Sequence, residues 1–255
     1  MSTRNKLSRA QVAAMPYPYA WPPVSVLNPG ANFFWKREVA FDFHQVIANW
    51  VEQYVKFINK TYGYNIDHTK VDFYNLQFDP NIPLTPEQHE ESFVAFARLS
   101  KGGYGSLKPY EGVADTFRKI HEAGISIKIY TWTPGAAEKI LGTVKSYNSG
   151  IAQRVTRELI ASLDLGLDVD RDVKFMHPGE KKWRMAEDHV PLLIEDNPET
   201  AVSVGMGIAH AVILVPESTN LGLVAPNVLP LTERKDLAKS IISFFSKLDD
   251  AGLLL

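Results

Sequence analysis

Between Arg37 and Trp50 the chain reads REVAFDFHQVIANW, an apolar run broken first by Asp42 and then by His44. The run predicts a buried strand over Glu38–Phe43, and apolar residues at helical spacing predict a helix over Val46–Tyr62 that Gly63 stops. The alternation continues along the chain. LTPEQHEESFVAFARLS predicts a helix starting after Thr85, and YEGVADTFRKIHEAG an amphipathic helix ended by Gly124. ISIKIYT reads as a strand with Thr131 at its end, and Pro134 is expected to open the next helix. DVKFMH (Asp172 to His177) is a short strand, GEKKWRMAED a helix, and VPLLIED a strand ending on Glu195-Asp196. AHAVILV (Ala209 to Val215) is a further strand, and TERKDLAKSIISFFSKL a closing helix with Thr232 as its cap.

Strands that alternate with helices imply an α/β fold, a Rossmann-like parallel sheet with helices on both faces. Two stretches stand outside the alternation. MPYPYAWPPVSVLNPG (Met15 to Gly30) is too rich in proline for a regular helix. It reads as an extended arm packing its rings on the domain or on a second subunit, as in a homodimer; an SH3-type ligand is the other reading. Residues 64–107 carry little strand character and read as a helical insertion. The expected organisation is an arm over 1–37, a core over 38–63 and 108–255, and the insertion between them.

Composition narrows the function. The 255 residues are 45% hydrophobic and 22% charged with a net charge of −2, so no basic footprint for nucleic acid or an anionic membrane is present. A few local lysines remain enough to bind a small phosphorylated molecule. Without cysteine, disulfides, thiolate metal sites and a cysteine nucleophile are excluded. No secretory signal pattern and no membrane-length apolar run is seen, which makes cytoplasmic the expected location.

In parallel sheets ligands bind where strands end. Four predicted strands end in chemically useful residues: Asp42, Thr131, His177 and Glu195-Asp196. Each has a plainer reading. Asp42 and Asp196-Asn197-Pro198 suit turns or helix caps, Thr131 and Thr133 suit a cap, Lys181 and Lys182 suit a solvated helix face, and His177 suits a structural hydrogen bond. Together they suit another chemistry. Asp42 and Asp196, helped by Glu195, could hold a hard cation, most plausibly Mg²⁺. Thr131 and the amides of the helix expected near Pro134 could bind phosphate oxygens, and a lysine of EKKW could stabilise the transition state. The reaction this suggests is phosphoryl transfer to Asp42 and then to water. The remaining histidines, His68, His89, His121, His189 and His210, have no metal-ligand spacing.

The same residues, in the same order, resemble the haloacid dehalogenase superfamily: an aspartate after the first strand, a Ser/Thr after the second, a lysine, then an acidic pair. VAFDFHQVIANWVEQYVKFINKTYGYNID, SLKPYEGVADTFRKIHEAGISIKIYT and PLLIEDNPET look more specifically like segments of the 5′(3′)-deoxyribonucleotidases. The resemblance spans about Glu38 to Val215. It implies Asp42 as nucleophile, the main-chain carbonyl of His44 with Asp196 and Glu195 as metal ligands, and Thr131 at the phosphate. It also implies Lys182 as the motif lysine, or Lys181 if the helix phase differs by one. Asn49 and Trp50 fall at pocket positions, residues 64–107 become a cap, and DFYNLQF (Asp72 to Phe78) could stack on a base. The substrate implied is a nucleoside 5′-monophosphate, with a deoxy sugar preferred.

His44 departs from the pattern, since the family places a second aspartate there. Imidazole could serve as general acid–base in its stead, or mark altered chemistry. The alternatives are a phosphatase of another small phosphoester, and a catalytically silent relative that binds a nucleotide or a protein.

Overall fold

The computed structural model describes residues 34–71, 79–132, 136–140, 143–146, 149–206, 210–217, 220, 223 and 225–255. The arm up to residue 33, the segment 72–78 and Thr133 lie outside the described residues.

Six strands form one parallel sheet: β1 (Glu38–Phe41), β2 (Ser126–Thr131), β5 (Val173–Phe175), β6 (Leu192–Glu195), β7 (Ala211–Leu214) and β8 (Val228–Pro230). Their order is β5-β2-β1-β6-β7-β8, and every neighbouring pair is parallel. The central strands are nearly continuous apolar runs because helices cover both faces. Side chains alternate between those faces. Val39, Phe41, Ile127, Ile129, Leu192 and Ile194 join one core, which also takes Phe117 and Ile120 of α3 (Val113–Glu122) and Ile241, Phe244, Phe245 and Leu248 of α8 (Leu237–Asp250). Ala40, Tyr130, Leu193 and Val212 join the other, against Met185 of α6 (Lys181–Asp188) and Ala201 and Val204 of α7 (Pro198–Gly205).

Helices α1 (Trp50–Tyr62) and α2 (Pro86–Arg98) precede α3. Thr85 and Gln88 form a reciprocal capping box at the start of α2, and Gly63 ends α1 at φ 71°. An aromatic cluster joins α1 to α2: Trp50 stacks on Tyr54 at 4.8 Å, and Tyr54 meets Phe96 edge-on at 5.2 Å. Helix α4 (Ser149–Ser162) packs against α2. Trp35 is buried and bridges to the C-terminus through Leu253 and Leu255.

Four expectations need correction. Helix α1 starts at Trp50 and not at Val46, because residues 43–48 close on themselves: the amides of Ile47 and Ala48 both donate to Phe43 O at 3.0 and 2.9 Å. Pro134, expected to open a helix, lies outside the described residues. Beyond it, Ala136–Ile140 (β3) pairs antiparallel with Thr143–Ser146 (β4), and the next described helix begins at Ser149. Thr232 caps nothing: a short 3₁₀ turn, Arg234–Asp236, leads into α8, and no side chain caps either start. Strand β8, three residues long, was too short to signal itself.

Candidate active site

Strand register assembles the site. Phe41 pairs with Ile129 on one side and Ile194 on the other, so Asp42 emerges level with Glu195 and its amide donates to Ile194 O at 2.9 Å. The position is the point where strand order departs in both directions from β1, which is where open parallel sheets bind ligands. Asp42, Glu195 and Asp196 are all buried, and one carboxylate oxygen from each lies within 4.8 Å of the others.

Lys181, the first residue of α6, enters this cluster. Its Nζ lies 3.0 Å from Asp42 Oδ1 and 2.7 Å from Glu195 Oε2, and it is buried. Lys182, the first choice for the motif lysine, does not reach the carboxylates; its Nζ sits 5.0 Å over the exposed Trp183 ring. Residues 178–180 form a 3₁₀ turn, so the α-helix begins at Lys181 and not at the start of GEKKW. His177 is exposed and caps that turn through Nδ1, which accepts from Gly179 N at 3.2 Å.

The two members of the acidic pair differ. Glu195 is fully engaged: Oε2 takes Lys181, and Oε1 accepts the amides of Asp196 and Asn197 at 3.3 and 3.2 Å. Asp196 Oδ1 is buried with no hydrogen-bond partner among the described residues. Asn197 caps α7, as its Asn-Pro sequence suggested.

Charge in the cluster is unbalanced, since three carboxylates face one ammonium. Burial works against the Lys181 ammonium, yet Asp42 and Glu195 outweigh it and Lys181 holds its proton more tightly than a free lysine. Burial raises Glu195, with Lys181 opposing and Asp42 adding to the rise. Asp196 is pushed well above the usual range by burial first, then by Glu195, Asp42 and Glu217. Hard oxygen donors, an orphaned carboxylate oxygen and two uncompensated negative charges fit a divalent cation such as Mg²⁺.

Thr131 ends β2 beside this cluster, wholly buried, and its Oγ1 has no partner among the described residues. His44 lies with its ring edge-on to Phe43 at 5.3 Å and Tyr104 at 5.2 Å. Burial above all, then Lys181, lowers His44 to about 3, with Glu195 opposing. Its Nε2 is buried without a partner among the described residues. Asn49 spends its side chain on the α1 cap: Oδ1 accepts from Glu52 N and Nδ2 donates to Glu52 Oε2. Trp50 Nε1 is buried without a partner among the described residues, and the ring meets Phe93 at 5.8 Å, while Phe93 stacks on Trp132 at 6.0 Å.

Several residues at the site carried no sequence signal. Gln45 Oε1 accepts from Trp50 N and Val51 N at 2.7 and 3.0 Å, capping α1 from outside it. Asn220 Nδ2 donates to Asp196 O at 2.6 Å, while Glu217, Arg234 and Tyr110 form a further network beside Gln45. Asn220, Glu217 and Arg234 lie outside the segments that carry the resemblance, and only the folded chain brings them near Asp42.

No protein-family model matches the sequence, and no curated protein does. Solved structures do resemble it. A predicted phosphatase from Clostridium acetobutylicum aligns at TM-score 0.51 and 13% identity over 82% of this chain and 99% of its own. A haloacid dehalogenase-like family hydrolase from Xanthomonas campestris aligns at 0.49 and 11% identity, over 85% of this chain and 99% of its own. A HAD family hydrolase from Deinococcus radiodurans aligns at 0.45 and 15% identity, over 86% and 97%. Together with the strand order, the first of these likenesses shows a shared fold, a Rossmann-like parallel α/β sheet.

Proposed function

We propose that this protein is a Mg²⁺-dependent phosphomonoester hydrolase working through an aspartyl-phosphate at Asp42. The observation that carries the reading is the buried Asp42, Glu195, Asp196 and Lys181 cluster beside the unpartnered hydroxyl of Thr131, all at the carboxyl edge of the sheet. Asp42 and Asp196, with the His44 carbonyl, would hold the cation, and Glu195 would hold Lys181 and the Asp196 backbone. Mg²⁺ supplies positive charge that screens an incoming phosphate from these carboxylates.

The chain's own groups do the rest. Thr131 Oγ1 donates to a phosphate oxygen, and Lys181 Nζ stabilises negative charge on the transferring phosphoryl group. An Asp42 oxygen forms a bond to phosphorus as the ester P–O bond breaks, and the leaving oxygen takes a proton from solvent water. Water then attacks phosphorus, releases inorganic phosphate and returns the Asp42 carboxylate. His44 stands where an acid–base group is needed. Burial and Lys181 keep its imidazole neutral, so it serves as a hydrogen-bond acceptor for the attacking water at a ring nitrogen, and the water's proton passes on to solvent.

The substrate proposed is a nucleoside 5′-monophosphate, with residues 64–107 as the cap over it. The rings of Trp50, Phe93 and Trp132 support this, since they gather next to Thr131 and could stack on a base. The deciding experiment is a phosphate-release screen of nucleotides and sugar phosphates with Mg²⁺. Deoxynucleoside monophosphates should give the highest kcat/KM, and Asp42→Asn should abolish release while leaving the fold intact. If no phosphoester turns over with well-folded wild-type protein, the enzyme reading fails. If sugar phosphates lead, only the nucleotide assignment does.

A further inference from the structure

We propose that Arg234 is a positioning residue, a guanidinium that locks the loop carrying His44 against the half of the site that carries Asp196. The inference rests on the phosphoryl-transfer reading of the Asp42 site for its consequence, though not for its geometry. Residues 43–48 belong to no helix or strand of the sheet, and Gln45 sits at φ 56°, a region that L side chains with a Cβ avoid. Such a conformation persists only where its surroundings over-determine it.

Arg234 does that from 188 and 189 residues away. Its Nη1 donates to Val46 O at 2.9 Å, and its Nη2 donates to Gln45 O. The same Nη2 pairs with Glu217, whose carboxylate also accepts from Tyr110 Oη at 3.3 Å and Gln45 Nε2 at 3.4 Å. The Tyr110 ring lies 3.8 Å from the guanidinium carbon, and Tyr110 N donates to Ile47 O at 2.9 Å. Four consecutive residues, Gln45 to Ala48, are thereby held by one guanidinium and its immediate partners, or by each other, since Gln45 N donates to Ala48 O.

The network also reaches the opposite wall. Glu217 N donates to Asn220 Oδ1 at 3.0 Å, and Asn220 Nδ2 donates to Asp196 O at 2.6 Å. Arg234 thus fixes the backbone three and more residues beyond Asp42 relative to the backbone of Asp196. In the other direction, Gln45 Oε1 passes the constraint to the amides of Trp50 and Val51, at the start of the aromatic face of α1. A planar fork with several donors is required here. It addresses two carbonyls and a carboxylate at once while stacking on a ring, which the single ammonium of lysine cannot do.

The test uses the full-length chain with Arg234→Lys and Arg234→Met. Hydrogen exchange of the peptide covering residues 43–54, thermal melting, and kcat and KM with Mg²⁺ are measured for each. The lysine variant should fold, exchange faster at 43–54 than elsewhere, and lose about tenfold or more in kcat, with KM changed far less, because misplaced reacting groups cost rate. Exchange in 43–54 that stays at the wild-type rate in the lysine variant overturns the proposal. So does an exchange increase spread evenly over the whole chain with kcat per folded molecule unchanged, which is the outcome of a merely structural arginine. Should the methionine variant fail to fold, the lysine variant decides. Should wild type itself release no phosphate, the hydrolase reading fails separately, and local exchange still decides whether Arg234 locks the loop.

Discussion

Replacing Lys181 by methionine removes the only ammonium that the described residues bring into the acidic cluster. The side chain is 3% exposed and contacts Asp42 at 3.0 Å and Glu195 at 2.7 Å. Methionine fills similar volume, so packing changes little and charge changes by one. Three buried carboxylates then face one another without a counter-charge. Removing one partner of a buried ion pair costs about 3–5 kcal/mol. For a chain of this size that is a fall in Tm of roughly 6–20 °C.

The control is Lys182→Met, one residue along the same helix. Its side chain lies over the exposed Trp183 ring and touches no carboxylate of the cluster, so its effect should stay within about 0.5 kcal/mol. Thermal melts of both variants, with and without Mg²⁺, read the difference. Mg²⁺ should stabilise Lys181→Met more than wild type, because more negative charge is left for it to neutralise. Adding Asp42→Asn to Lys181→Met should restore part of the lost stability, with a coupling of about 0.5–3 kcal/mol between the contacting pair. Phosphate release should vanish in Lys181→Met and persist in Lys182→Met. Equal melting of the two single variants, or loss of activity in Lys182→Met alone, would refute the charge argument.

Three further outcomes follow from the same geometry. Thr131→Val removes a buried hydroxyl that has no partner among the described residues, so it should raise stability by about 1 kcal/mol while lowering kcat/KM at least tenfold; a drop in Tm would mean that the hydroxyl is bonded in the free protein. His44→Asn should leave the shape of the pH profile of kcat/KM unchanged between about pH 5.5 and 8, since the imidazole is lowered to about 3; loss of an ionisation near neutrality would assign His44 a protonated role. His210 is buried against Trp35, at 5.3 Å and edge-on, and burial lowers it to about 4. The unfolded histidine binds its proton near pH 6.5, so stability should be complete above that value and fall towards pH 4, by at most about 3 kcal/mol. His210→Phe should flatten this part of the stability curve, and an unchanged acid limb in urea melts would rule the histidine out.

Much of the fold was legible in the chain because strands and helices announce themselves through local periodicity. VAF, LLI and AVIL are apolar on both faces, and a parallel sheet covered by helices follows from that. Thr85 with Gln88, Gly63 and Asn197-Pro198 marked helix ends through chemistry that acts within four residues. Where the reading failed, distant contacts or irregular backbone overrode the pattern. Val46 fits a helical stripe, yet Arg234 holds its carbonyl in a loop. The region after Thr131 has a helix-opening proline, yet Ala136–Ile140 and Thr143–Ser146 pair as antiparallel strands.

By itself the sequence determined the α/β alternation, the strand ends that carry Asp42, Thr131 and Glu195-Asp196, and the absence of cysteine chemistry. Each of these is a local property of residue type and order. The tertiary structure alone decided that Lys181 and not Lys182 meets the carboxylates, because the α-helix begins at Lys181 after a 3₁₀ turn. It also decided that Asp196 keeps an oxygen unsatisfied among the described residues while Glu195 does not, and that its surroundings lower the His44 imidazole. Burial, charge balance and hydrogen-bond satisfaction depend on neighbours more than a hundred residues away, and no window of sequence contains them.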